Sequence, residues 1–141
     1  MKVSRIKFRL LLTALCLCTS AAQAVSFRIV GKNDESLFQV SLKVAVPTVV
    51  GSATVTALEQ NTIPFEGSAY GISKIFELGQ DIEVISDTEM KAYGWCFAID
   101  GLVAETLPDE TLILKQVTTI EWFYAFAHYK NGNWIGQCVR D

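Results

Sequence analysis

The sequence is short of the side chains that do chemistry. It holds a single histidine, His128, and four cysteines, two of which fall in its first 24 residues. It has no C-x-x-C pair, no H-E-x-x-H helix, no G-x-S-x-G elbow and no glycine-rich phosphate loop. A tetrahedral zinc site needs three or four Cys, His or carboxylate ligands, and Cys96, Cys138 and His128 offer no close pair to start one. A nucleophilic cysteine needs a base, and His128 is the one histidine available to Cys96; nothing local favours the pairing. The acids Asp81, Glu83, Asp87 and Glu89 lack the D-x-D-x-D-G spacing of a calcium loop and read as a solvated acidic edge. No catalytic residue, metal or cofactor is expected, so the chain is read as a binder rather than an enzyme.

A second long apolar run is also missing. The first, over 10–18, is shorter than the roughly 20 residues that span a bilayer. It follows a basic start (Lys2, Arg5, Lys7, Arg9) and precedes the small-residue site Ala22-Gln23-Ala24, the layout of a secretory signal peptide over 1–24. Cleavage after Ala24 leaves 25–141, 117 residues, enough for one domain with its own core. The expected place is outside the cytoplasm, periplasmic or secreted, with no stable membrane insertion. Eight basic against fifteen acidic side chains remain, a net charge of −7. That balance gives no basic footprint for nucleic acid. Two cysteines survive cleavage, and an even count in an exported domain is read as a disulfide, Cys96 to Cys138. Closing that loop is worth about 4 kcal/mol in the chain-entropy model.

What is present is mostly period-two alternation. Residues 26–30 and 37–44 alternate polar and apolar around the turn 31–36, a hairpin with Phe38, Val40, Leu42 and Val44 on one face. Pro47 ends the second strand. Gly51 and Ser52, with Ser52 as N-cap, then open a short helix over 53–60, carrying Val55 and Leu58 three apart. Thr54 and Thr56 weaken it on propensity, so packing on the sheet must hold it. The run 70–79 is read as an irregular strand that 82–85 extends or returns. "YGWCFAIDG", 93–101, places Trp95, Phe97 and Ile99 on one face, Cys96 and Ala98 on the other, and ends in the turn Asp100-Gly101. Residues 119–129 form a long aromatic and β-branched strand. The Asn131-Gly132 turn leads back through 134–139, which carries Cys138.

In this order "GSATVTALEQ", "YGISKI", "WCFAIDG" and "TTIEWFYAF", behind the opening hairpin, resemble bacterial domains of uncharacterised function related to the C-terminal domain of the cobalamin carriers transcobalamin and intrinsic factor. The resemblance covers 27–126. It implies an α+β fold of β-grasp type, a mixed sheet with one short helix, to which this chain adds a C-terminal β-hairpin. It does not imply cobalamin binding, because the helical domain that completes the carriers' site has no room in 117 strand-rich residues.

Strand 119–129 sends Trp122, Tyr124, Phe126 and His128 to one face and Phe123, Ala125 and Tyr129 to the other. Either both faces are packed, or an aromatic strip stays open with Trp134 beside it as a contact for a planar ligand, a sugar ring or a protein edge. Trp95, Trp122, Tyr124 and Trp134 are the candidate contacts. The function expected is a non-catalytic module for a soluble ligand or glycan, the alternative an envelope or secreted protein–protein interaction factor. An apolar pocket beside a tryptophan favours the first, a flat aromatic patch with an unpaired strand the second.

Overall fold

Val25, Phe27 and Ile29 alternate with Ser26 and Arg28, and Leu42 and Val44 with Ser41 and Lys43, so each segment has one apolar face to bury. In the computed structural model, which describes residues 21–117 and 119–141, these segments are β1 (Ala22–Val30) and β2 (Ser36–Ala45), paired antiparallel. The leader expected over 1–24 lies, up to residue 20, outside the described residues. Ala22, Gln23 and Ala24 are the first residues of β1, opposite Ala45, Val44 and Lys43.

The short β3 (Thr48–Val49) runs into α1 (Val50–Gln60). The helix begins three residues earlier than its sequence suggests, and Ser52 is not its N-cap. Val49 holds that place without a side-chain bond. The first helical donors are answered from a distant loop instead: Val50 N–H donates to the Thr111 carbonyl (2.8 Å) and Gly51 N–H to that of Pro108 (2.9 Å). The same loop carries β9 (Leu112–Ile113), antiparallel to β3. Glycine is needed at position 51, since a Cβ there would sit 1.8 Å from the Ala69 carbonyl oxygen. Ala69 lies in the turn between β4 (Phe65–Ser68) and β5 (Gly71–Ile75). The expected strand over 70–79 is therefore only β5, and it pairs with β4. Residues 82–85 belong to a separate strand, β6 (Asp81–Ser86), which pairs with β7 (Glu89–Ile99). β8 (Leu102–Val103) turns back on β7 through Asp100 and Gly101, both with positive φ.

β10 (Thr119–Lys130) is the axis of the sheet. β7 follows one margin from Ile120 to Lys130. The other margin is shared: β1 runs parallel beside Thr119 to Phe123, and β11 (Asn133–Val139) antiparallel beside Phe126 to Lys130. The order is β2-β1-β10-β7-β6. A hairpin, one helix on one face, and the first and last long strands parallel at the centre make this a β-grasp-like α+β fold with an added C-terminal hairpin.

The helix-side core gathers Val25, Phe27 and Ile29 of β1 with Ala53, Ala57 and Leu58 of α1, and Trp122 beneath them. Each large apolar side chain so buried stabilises by roughly 1.5–3 kcal/mol. Thr54 is fully buried because its hydroxyl accepts the Trp122 indole N–H at 2.8 Å. On the outer face a smaller cluster of Val30, Ala98, Phe123 and Ala125 packs around a disulfide between Cys96 and Cys138. Among the described residues no helix is long and apolar enough to cross a membrane.

Candidate functional site

The four candidate contacts do not converge. Trp122, 1 % exposed, is core under α1 and touches no surface. Trp95 and Tyr124 face the same side farther along, where each fastens the loop before β6: the Trp95 indole N–H donates to Leu78 O (2.8 Å) and the Tyr124 hydroxyl to Gly79 O (2.6 Å). Their rings meet edge to face at 5.4 Å, and Tyr93 stacks on Tyr124 at 5.8 Å. The expectation of an open strip on this face gives way because helix and loop cover it. Trp134 alone is open, 52 % exposed, and it lies on the opposite face, edge-on to Tyr129 at 5.3 Å.

Both faces of β10 are packed at its start; only one is packed at its end. Neighbouring strands lie about 4.8 Å apart, so β7 and β11, on opposite margins of β10, would keep cysteines some twice that distance apart. Cys138 takes a left-handed backbone (φ 51°) in a bulge of β11 between the paired residues Gly136 and Val139, which turns its side chain over the outer face and brings its Cα within 5.9 Å of that of Cys96. Arg140 follows, with its guanidinium 3.9 Å above the Phe123 ring and paired to Asp34 and Glu121. Burial opposes the charge of Arg140, but the bonds to Glu121 and Asp34 win and push its pKa up. The paired cysteines are neither nucleophile nor metal ligand. His128 is bonded through Nε2 to Glu89 (2.8 Å), whose second oxygen meets Lys130 (3.2 Å). The His128 bond first, then that from Lys130, holds the Glu89 carboxyl below its ordinary value.

Beyond that lid the outer face is open across four strands. By register, Ile82 and Val84 of β6 stand beside Ala92 and Met90 of β7, and Tyr129 of β10 stands between Met90 and Trp134. Between these larger groups lie Ala92, Gly94 and Ala127. A Cβ placed on Gly94 would meet nothing within 4 Å. Ile82 and Val84 are 63 % and 73 % exposed. A depression of about 430 Å³ reaches from this face round the sheet margin, lined by Gln80, Asp81, Ile82, Ala92 and Tyr93. Burial first, then the bond to Glu83, pushes the Tyr93 hydroxyl up to about 12, so it stays a neutral donor. This surface escaped sequence reading because its apolar residues come from four segments. The signal available was the alternation of Ile82 and Val84 with Asp81 and Glu83.

A further cleft, about 530 Å³, is on the helix side and is polar, with Lys32, Lys74, Glu66, Glu77 and Asp81 around Tyr124. Lys74 is partnered there by Glu66 (3.6 Å), while Lys32 lies 5.7 Å from the Tyr124 ring centre. Among the described residues no three His, Cys, Asp or Glu side chains gather to hold a metal ion.

Fold and surfaces together define a small α+β domain closed by one disulfide, with an open apolar sheet face. No family model matches the chain, and no curated protein matches it. Among solved structures it is similar to a protein from Ruminococcus gnavus ATCC 29149 described as a "putative metal binding protein", at 15 % identity and a TM-score of 0.44, over 74 % of this chain and 97 % of that one.

Proposed function

We propose that this chain is an exported, non-catalytic binding module that engages another protein through the open outer face of its sheet, and that it shares the β-grasp ancestry of the transcobalamin-related bacterial domains it resembles. One observation carries the reading: apolar side chains from β6, β7, β10 and β11 stand on one uncovered face, with Trp134 at its rim and, among the described residues, the edge strand β6 at its border. Fully buried aromatic anchors dominate protein interfaces, and an exposed tryptophan backed by Tyr129 is such an anchor in waiting. Trp122 is buried core and the Trp95 indole N–H is taken up by the Leu78 carbonyl, which weakens the soluble-ligand or glycan alternative. The polar cleft around Lys32, Lys74 and Tyr124 supports that alternative only for a small charged ligand. A photo-crosslinking residue at position 134, in protein exported by its native host, should trap a protein, and the same residue at Lys43 on the opposite sheet margin should not. Adducts from neither position, with a small molecule retained through purification and seen by mass spectrometry, would return the reading to a ligand carrier.

A further inference from the structure

Strand β6 ends the sheet, and among the described residues no strand lies along its outer margin. Exposed edges are ordinarily blunted by charge, above all lysine, by proline, by a bulge or by a covering segment. β6 has no lysine or proline, its charges are acidic, and its register is regular over 81–84, the irregularity falling between Val84 and Ser86. Its Ile82 N–H is answered by the carboxylate of its own Asp81 at 2.8 Å. Alternation puts Ile82 and Val84 on the open outer face and Asp81 and Glu83 on the other, where Glu83 accepts from the Tyr93 hydroxyl. Residues 75–90 hold five acids, Glu77, Asp81, Glu83, Asp87 and Glu89, and no lysine or arginine.

We propose that β6 is the docking edge for an extended segment of a partner protein whose side chains alternate apolar and basic, and which joins the sheet as one further strand. The proposal rests on the protein-binding reading and sharpens it. In strand addition the main chain supplies affinity and alternate side chains supply specificity. The apolar side chains of the incoming strand continue the outer face beside Ile82 and Val84, and its basic ones meet Asp81 and Glu83. A second copy of this chain is the poorer occupant. Antiparallel β6 strands about a two-fold axis would bring the Asp81 and Glu83 of both copies to one acidic margin, and facing like charges destabilise a strand pair.

The test titrates the ¹⁵N-labelled, disulfide-bonded protein with a blocked hexapeptide alternating lysine and valine, followed by NMR. Shift changes should centre on 81–84 and the adjoining part of β7, with slowed amide exchange along β6. Affinity should fall about tenfold or more, at least 1.4 kcal/mol, when alternate peptide nitrogens are methylated, when glutamate replaces lysine in the peptide, and in the variants Glu83→Lys and Val84→Lys. Equal binding of the glutamate peptide would overturn the charge selection, and equal binding of the methylated one the strand addition. Shifts confined to Tyr129 and Trp134 would overturn the edge while leaving the outer-face reading standing. So would absence of any binding at millimolar peptide where position 134 still cross-links a protein. A concentration-dependent dimer lost in Val84→Lys would give the edge to a second copy and overturn the proposal.

Discussion

Thr54 sits in the middle of a helix, where a β-branched side chain costs propensity, and it is a fully buried polar residue against which the large core side chain of Trp122 is set. Its hydroxyl answers an indole N–H that has no access to water. Valine at this position keeps the shape and deletes the acceptor, so Thr54→Val should lower stability by about 1–3 kcal/mol, the cost of leaving a buried donor unanswered. Thr54→Ser keeps the oxygen and loses one methyl, for about 0.8 kcal/mol. Urea denaturation of both variants decides the matter: if Thr54→Val unfolds at the wild-type midpoint, the bond contributes nothing net. In the sequence Thr54 registers only as a poor helix former. Its role is invisible there because the partner, Trp122, is 68 residues away. The same distance explains why Trp122 reads as a possible surface contact: alternation assigns it a face but cannot tell that α1 lies on that face.

Elements built from local pattern were legible, and those completed by distant chain were not. The opening hairpin, the Asn131-Gly132 turn and the two faces of β7 follow from alternation and turn chemistry. The start of α1 does not, since its first donors are satisfied by carbonyls near 108 and 111 rather than by Ser52. β3 and β9, two residues each, are too short to carry a period. The cysteines were legible because the two left after the expected cleavage have one pairing to make. Their bridge fastens the end of β11 over Phe123 and Ala125, where β11 otherwise has only β10 beside it. Replacing both cysteines by alanine should cost about 2–5 kcal/mol, the usual range for a native bridge in a small secreted domain. The loss should be uneven. Amide exchange should rise first over 133–139, while β1, β2 and α1 keep their protection. Two titratable thiols in protein taken from its native host would refute the pairing, and uniform loss of protection would refute the lid.

At the scale of the whole molecule, the expected processing site meets the fold at the first strand. Ala22, Gln23 and Ala24 pair with 43–45, and the Gln23 side-chain amide donates to the carbonyls of Leu114 (2.9 Å) and Val117 (3.0 Å). The processing site expected at 22–24 thus falls within β1, and cleavage after Ala24 would remove those bonds while leaving Val25, Phe27 and Ile29 in the core. N-terminal sequencing of the exported protein should therefore begin at Val25. A version beginning at Ala22 should be the more stable, by about 1–3 kcal/mol for two or three hydrogen bonds of ordinary net worth. The retained strand explains why the shorter form should still fold: the parallel pairing of 26–30 with β10, which sets the order of the sheet, lies beyond the cut. Precursor accumulating uncleaved in the cytoplasm at steady state would overturn export, and with it the oxidising surroundings that the Cys96 to Cys138 bridge needs. A mature chain beginning at Ala22 instead would keep export and the bridge, and would show that β1 is processed at its margin so that its full pairing with β2 survives.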